Sequence, residues 1–381
     1  MLSPQSTPYD WCIVGGGIAG LTAARALAQH GQRVAVLEQG TIGNGATAAA
    51  GGMLAPLVEA RSAEPHAVQF GMEALRFYPE FVAQLQAEAE MSVGYRTEGT
   101  LVVGPDRDQT EQLRHLFAEQ QRLQLPVEWL SGYELRQIEP YLSPTVAGGI
   151  HSRHDHQVDN RLLAVALARA IVGLGGEVVE NVGELHPNRV GGTWRAEGNG
   201  VSIEAANILL AEGAAAKALR QMLPNLSPHL RPVKGQFLRL DQRELHLLDH
   251  VVRSTEVYLV PKNNGQIVVG ASAEEQGFDN RNTAGEIFEL LRAAWECVPA
   301  IRELPILEIG VGFRPATTDH LPLLGRTKID GLAVAAGYYR HGILFAPYAA
   351  HLLAEHLVQQ TSNQWIHTFS PERFHEPNRQ W

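Results

Sequence analysis

The sequence predicts an α/β protein with a dinucleotide-binding unit at its N-terminus, and three stretches carry that expectation. Residues 9–40, "YDWCIVGGGIAGLTAARALAQHGQRVAVLEQG", read as strand, glycine turn, helix and strand. Residues 331–357, "GLAVAAGYYRHGILFAPYAAHLLAEHL", read as a second strand-to-helix junction bounded by glycines. Residues 257–271, "VYLVPKNNGQIVVGA", place two β-rich runs around Asn263, Asn264 and Gly265. That is a hairpin with a glycine-bearing turn, which suits an antiparallel sheet and not a βαβ crossover.

At the N-terminus, Trp11 to Val14 is a short apolar run ending at glycine, the mark of a buried strand. Gly15, Gly17 and Gly20 then form G-x-G-x-x-G. Ile18, Leu21, Ala24, Leu27 and Ala28 recur at helical spacing, and Gly31 ends the helix. Arg33 to Leu37 is a second strand, with Glu38 at its C-terminal end. Each residue has a physical task in such a site. Gly15 permits a tight turn, Gly17 lets the backbone approach a pyrophosphate, and Gly20 lets helix and strand lie close. The N–H groups and dipole of the helix start favour phosphate charge. Glu38 can accept from ribose hydroxyls, and its charge disfavours a 2′-phosphate. Strand, helix and acid agree with the glycines here, so the motif is more than a glycine turn. It does not by itself separate FAD from NAD.

The chain then continues with "GNGATAAAGGMLAP", residues 43–56, whose small side chains let backbone N–H groups come close to a large flat ligand. Residues 63–90 have the pattern of a long amphipathic packing helix. "HSRHDHQVDNR", residues 151–161, gathers three histidines and two aspartates. It reads as a polar loop with Asp159 capping the helix that begins near Asn160, and no metal site is expected. Near the C-terminus, Leu332 to Ala335 reads as a strand, Gly337 to Gly342 as a turn and Ile343 onward as a helix. That junction fits an ordinary βα unit and a second helix N-terminus at a cofactor equally well. Arg314, within "VGFRPATTDHLPLLG" at residues 311–325, has on pattern alone the look of a surface arginine with a buried stem.

Composition limits the partners. The 381 residues suffice for a large core and two domains. A net charge of −10 argues against a nucleic-acid partner but not against a small anion at a local site. Cys12 and Cys297 are too few for a disulfide framework and lack metal-site spacing. No run of about 18 apolar residues suggests a membrane span. The apolar stretch from Trp11 to Leu27 has Asp10 where a leader would be basic. A cytoplasmic location is expected. The oligomeric state, a homo-oligomer included, is left open.

Together, the N-terminal fingerprint with Glu38, "ATAAAGGMLAP", "GFRPATTDHLPLLG" and "GYYRHGILFAP" resemble the glycine oxidases. These belong to the FAD-dependent D-amino acid oxidase superfamily and are linked in many bacteria to thiamine biosynthesis. The resemblance runs from about residue 9 to about residue 360, and "GYRTEGTLVVG" and "QVDNRLLAVALARAI" fit a strand and a helix of that family. It implies a Rossmann-like FAD-binding domain of the glutathione-reductase type, interleaved with a substrate domain whose antiparallel sheet roofs the flavin. On this chain the FAD-binding domain would take residues 1–85, 145–222 and 310–365, and the substrate domain 86–144 and 223–309.

The resemblance also implies site residues. Gly15, Gly17, Ile18, Ala19 and Gly20 meet the pyrophosphate, and Glu38 and Gln39 the ribose. Ala46, Thr47, Gly51, Gly52 and Met53 lie on a loop along the flavin. Tyr338, Tyr339, Arg340, His341, Gly342, Ile343 and Leu344 lie over its pyrimidine edge. Arg314 matches the arginine that holds the substrate carboxylate, which reverses its surface reading. Tyr258 matches an active-site tyrosine, and Arg340 a second pocket arginine. Three positions depart from the family. Ala273, opposite Tyr258, stands where methionine is frequent, which enlarges the pocket. His341 replaces an asparagine, and Glu184 aligns with a valine whose backbone touches adenosine. The related sarcosine oxidases tether flavin through a cysteine near the arginine motif. Here Pro315 follows Arg314 and neither cysteine is near, so FAD is expected to be non-covalent.

The activity so implied is oxidative deamination of glycine or small secondary or D-amino acids, by hydride transfer to flavin. It gives a 2-oxo acid, ammonia or an amine, and hydrogen peroxide, with molecular oxygen as the acceptor. It needs positioning and no side-chain acid or base. The competing readings are an amino acid dehydrogenase passing electrons to a quinone or carrier, a flavoprotein acting on a macromolecule and, last, an NAD-dependent dehydrogenase.

Overall fold

The structure is a computed structural model that describes residues 8–375. Residues 1–7 of the expected segment 1–85 lie outside it. Two eight-stranded sheets organise the chain. The strand Tyr9–Val14 is buried over its last four residues, as befits a strand covered on both faces. It pairs in parallel with Val34–Leu37 on one side and Val201–Leu210 on the other. Glu177–Val179 extends this sheet beyond Val34–Leu37, and Leu332–Ala336 extends it beyond Val201–Leu210, both in parallel. Leu323–Arg326 closes one edge antiparallel. The hairpin His186–Val190 and Thr193–Gly198 pairs antiparallel to Val201–Leu210.

Three helices pack together beside this sheet: Ile18–Gln29, Asn160–Gly173 and Gly342–Gln359. They share one hydrophobic cluster with Trp11, Ile13, Val34 and Val36. Their contacts are rich in alanine, including Ala23, Ala24, Ala28, Ala166, Ala170, Ala346, Ala349 and Ala350, which lets the helix axes approach. The helix Pro65–Ala89 lies against the same layer. Pro347 inside the last long helix has no N–H, so the Ile343 carbonyl four residues earlier loses its helical donor. The buried Tyr78 hydroxyl donates to that carbonyl at 3.2 Å. Cys12, Val14, Ala35 and Leu37 face a second cluster with Trp194, Leu219 and Leu226.

The second sheet runs in the order Ile306–Thr317, Leu230–Asp241, Gln266–Gly270, Tyr258–Pro261, Val251–Arg253, Thr100–Val103, Gly148–Ser152, Glu128–Ser131. All neighbours are antiparallel except Val251–Arg253 with Thr100–Val103. Its faces alternate as pleating requires. Leu101, Val103, Leu238, Leu240, Leu259 and Val269 pack with the helix Ala284–Cys297. Val251, Val260 and Val268 face the other way, toward Tyr258 and Met53. The expected hairpin is present, with Tyr258 opposite Gly270.

The chain passes repeatedly between the sheets. Gly148–Ser152, inside the expected FAD-binding segment 145–222, belongs to the antiparallel sheet. Ile306–Thr317 belongs to it too and runs across the expected boundary at 310. After a register shift near its start, opposite Arg239 and Leu240, this long strand stays in register with its partner from Glu308 as far as Thr317. After it, the tail returns to the parallel sheet. The Leu324 N–H donates to Phe369 O at 2.8 Å. Buried Arg373 donates to both Asp319 oxygens at 2.7 and 3.0 Å, and to the carbonyls of Leu321, Pro322, Phe369 and Ser370.

Candidate active site

The glycine fingerprint folds as a dinucleotide turn. Gly15 has φ +112°, and a Cβ there would lie 2.4 Å from Ala211 O. A Cβ on Gly20 would lie 1.9 Å from Gly15 O, so neither position admits a side chain. Gly17 is different. Its added Cβ would meet only Thr47 Oγ1, at 3.6 Å, so its role is to leave room for what approaches the backbone. The helix Ile18–Gln29 has no cap from its own N-cap residue and no acid in its first turn, so apart from the Ile18 N–H its positive end is available to an anion. Ile18 N donates to Thr47 Oγ1 at 3.0 Å, and Ala19 packs against the cluster beneath. Glu38 is held at its strand end by the N–H groups of Gly16 at 2.7 Å and Gly40 at 2.9 Å. Each carboxylate oxygen retains a lone pair that can take a ribose hydroxyl. Gln39 exposes its side chain and accepts Gly183 N at its carbonyl.

A second helix start arrives at the same place. Gly342–Gln359 also lacks a side-chain cap. A Cβ at Gly342 would be 3.9 Å from Ile18 Cγ2. Both helices follow parallel strands, Tyr9–Val14 and Leu332–Ala336, at their C-terminal ends. That is where open α/β sheets bind ligands. Two positive helix ends, glycine clearances and Glu38 form a donor and acceptor set that fits a dinucleotide such as FAD.

The small-residue loop comes next. Ala46–Ala49 is a single helical turn with buried Thr47. A Cβ at Gly51 would stand 2.9 Å from Tyr258 Cε2. Gly52 has φ +77°, and its Cβ would lie 2.2 Å from Val158 O. Met53 pairs with Gln157 in a two-stranded ribbon. A Cβ on Gly312 would touch Ala49 Cβ at 2.3 Å, so the edge strand bearing Arg314 lies directly on this loop. On the far side runs the segment 338–344. Tyr338 is buried and bridges to Ala316, while Ile343 and Leu344 are core. Tyr339 adopts φ +46°, an uncommon conformation for a bulky residue, and stacks on His320 at 4.6 Å.

Arg314 and Tyr258 come together. Arg314 is half-buried near the end of its strand. Its Nη1 donates to Ser272 O at 2.9 Å, and no carboxylate of the described residues lies within 4 Å of it. Gly235 makes room for it, since a Cβ there would be 2.7 Å from Nη1. Burial pushes the Tyr258 hydroxyl up, and Arg314 is the leading charge opposing that shift.

Three expected residues sit differently. Ala273 is not on the strand opposite Tyr258. That place is Gly270's, and Ala273 is an exposed residue beyond the strand end, next to Ser272. Arg340 does not present a free guanidinium. Its Nη2 lies 3.1 Å from both oxygens of Glu64, and its side chain is 47% exposed, because Glu64 stands just before the helix start at Pro65. Glu184 is an exposed partner of Lys217 at 2.8 Å. The valine of this segment is the buried Val182, whose N–H donates to Glu38 O at 3.2 Å.

The structure adds residues that sequence reading left out. Arg253 is cross-strand from Tyr258 and forms an ion pair with Glu59. Glu59 also lies 3.5 Å from His341, whose ring stacks on Phe345. Burial pushes the Glu59 carboxyl up, but Arg253 and His341 outweigh it and hold the group at about 2. Burial pushes His341 down against the pull of Glu59. Asp155 accepts the N–H groups of Leu57 and Val58 at 3.1 and 2.9 Å. Asp159, by contrast, caps its helix through Arg161 N and Leu162 N as the sequence leads one to expect. The Glu59–Arg253 pair had no local signal: it joins a loop to a strand 194 residues away.

Comparison with known proteins agrees with this geometry. Residues 10–356 match the family model described as DAO, FAD dependent oxidoreductase. The chain belongs to the DAO family. FAD is therefore its cofactor, a group that the donors and acceptor described above fit. The chain is 32% identical over 351 residues to the glycine oxidase of Geobacillus kaustophilus, covering 91% of this chain and 92% of that protein. It is 33% identical over 380 residues to the bifunctional protein ThiO/ThiG of Trichormus variabilis, covering 96% of this chain. It spans 55% of the length of that bifunctional relative. The crystal structure of the Geobacillus kaustophilus glycine oxidase superposes with a TM-score of 0.88 at 31% identity, covering 97% of this chain and 99% of that one. No helix of the described residues is long and apolar enough to cross a membrane.

Proposed function

We propose that this DAO-family chain oxidises a small α-amino acid, glycine or a small secondary or D-amino acid. The products would be a 2-oxo acid, ammonia or an amine, and hydrogen peroxide. The observation that carries the reading is Arg314. It is a half-buried guanidinium beside Tyr258, held at one nitrogen by the Ser272 carbonyl, with no carboxylate of the described residues within 4 Å. A substrate carboxylate supplies the missing counter-charge, and two parallel N–H···O bonds would fix its orientation. Tyr258, packed edge-on to Gly51, bounds the space beside that carboxylate. Its hydroxyl stays protonated at neutral pH, since burial raises it, and so it can donate to the carboxylate or accept from the amine. FAD, when bound, would supply the hydride acceptor, with molecular oxygen as the final electron acceptor. The chain contributes orientation, and no side chain is required as acid or base.

The glycine oxidase and ThiO/ThiG relatives support this substrate class and a place beside thiamine biosynthesis. The test is a visible spectrum of the purified protein, followed by oxygen uptake with glycine, sarcosine, D-alanine and D-proline. Yellow protein that releases its flavin on acid or heat and consumes oxygen with one of these amines is expected. Flavin reduced by an amine yet reoxidised only by a quinone or carrier protein would replace the oxidase with a dehydrogenase. Failure of every amine to reduce the flavin would sink the proposal.

A further inference from the structure

Lys262 directly follows the strand Tyr258–Pro261, four residues beyond Tyr258. A lysine after a proline at a hairpin turn has the look of a solvent residue, yet this one is 3% exposed. Its Nζ donates to Gly51 O at 2.7 Å, Val158 O at 2.9 Å and Gln157 Oε1 at 3.4 Å. No carboxylate of the described residues lies within 4 Å of it. A buried lysine with only carbonyls as partners is costly unless its position does something.

The peptide it grips is informative. Gly51 O and the Gly52 N–H belong to one planar trans peptide, so they point in opposite directions. With the carbonyl turned to Lys262, the Gly52 N–H is turned to the other side of the loop. Gly52 is at φ +77°, and a Cβ there would be 2.8 Å from Nζ, so the loop is shaped around the amine. Neighbouring groups hold the preceding turn in the same manner. Ala48 O accepts from Asn160, Arg161 and Arg239, each at 3.3 Å. The carbonyls of the loop thus face cations and amides of the protein, which frees its other side for a ligand.

We propose that Lys262 is a positioning residue for FAD: its protonated amine locks the Gly51–Gly52 peptide so that the Gly52 N–H faces the flavin side of the loop. The inference rests on FAD as cofactor and not on which amine is oxidised. An ammonium has three N–H donors for its three acceptors, whereas the neutral amine has two and turns a lone pair on an oxygen. Burial pushes this amine down to about 7, with Asp159 pulling it up and Arg239 and Arg96 pushing it further down. The other charged or titratable groups on the elements around it are Tyr95, Asp155, His156, Arg161 and Glu308. Locking the loop for FAD therefore favours proton uptake.

The experiment is titration of apoprotein with FAD from pH 6 to 9, followed by flavin fluorescence, for the native chain, Lys262→Met and Lys262→Arg. Lys262→Met is expected to raise the Kd for FAD by about ten- to a hundredfold, the scale of a lost charged hydrogen bond. The native Kd is expected to rise with pH through the titration of the amine, by at most about tenfold per unit. Lys262→Arg, which stays charged, should bind FAD nearly as tightly at pH 6 and lose most of that slope. A native Kd that is flat with pH, or a slope that persists in Lys262→Arg, would overturn the proposal, and both are readable even when Lys262→Met does not fold. A Lys262→Met chain with lowered Tm but native Kd would also overturn it, leaving a purely structural amine. A chain that shows the expected FAD behaviour but oxidises no amine leaves this inference standing and sinks the proposed activity alone.

Discussion

Arg314 is fixed by its surroundings before any ligand arrives. Ser272 O takes one N–H, Gly235 clears space, and the guanidinium is the leading charge acting on the Tyr258 hydroxyl. Arg314→Leu is expected to reduce kcat/KM for a carboxylated amine by about ten- to several-hundredfold, since a charged hydrogen bond is worth about 1.5–3 kcal/mol. Arg314→Lys keeps the charge but loses the fork and should fall between. FAD content should be unchanged, and an amine without a carboxylate should show no loss. Equal losses on both kinds of amine would mark Arg314 as structural. Residues of this sort were legible only in part. Arg314 and Tyr258 stood out through the motif around them, and Glu38 through its place after a strand. At Glu184 the loop after Glu177–Val179 has no periodicity to fix its register, and local pattern does not tell that exposed side chain from the buried Val182 two positions earlier. For Arg340, nothing local foretells that Glu64 waits across the fold. Lys262 stayed hidden because burial of a lysine depends on three carbonyl partners from distant segments.

At the scale of elements, the loop 46–53 is where the two sheets meet. The strand Ile306–Thr317 presses on Ala49 through Gly312, and Tyr258 presses on Gly51. Glycine at 51 is therefore a contact requirement more than a conformational one, because only Gly52 of the pair has positive φ. Gly51→Ala would set a methyl 2.9 Å from the Tyr258 ring and must displace it. The expected outcome is weaker substrate binding with nearly native thermal stability, read as a raised KM and an unchanged Tm. A native KM would show that the ring moves without consequence. Elements with strong periodicity were legible: the fingerprint helix, the hairpin at 258–270 and the helix capped by Asp159 all follow from local pattern. The loop's shape was not, because it is set by contacts with strands far away in the chain.

At the scale of the whole molecule, the C-terminal tail fastens the parallel sheet. Arg373 is buried, and its ion pair with Asp319 is nearly dry, with side-chain exposures of 1% and 6%. Burial pushes the Asp319 carboxyl up, but Arg373 outweighs it and holds the group below its ordinary value of 3.8. A depressed carboxylate contributes stability above its unfolded pKa and loses it as pH falls through the folded one. Arg373→Met strands the carboxylate and should destabilise by about 3–5 kcal/mol near pH 7. The difference from the native chain should shrink as pH falls, first as the stranded carboxyl, raised by burial, takes a proton and then below about 4 as the native one does. Denaturant melts at both pH values check this, and a gap that widens in acid would refute it. The order in which the chain visits its two sheets has another consequence. The strand Tyr9–Val14 is synthesised long before its partner Val201–Leu210 and the helix Gly342–Gln359. Segments usually fold as they emerge during synthesis, yet this cofactor site spans almost the whole length of the chain. The nascent protein must thus be translated through residues 342–359 before it can acquire its flavin, and supply of FAD acts only after that point. Ribosome-stalled chains that have not yet exposed residue 342 should bind no FAD, whereas chains with residues 342–359 clear of the ribosome should.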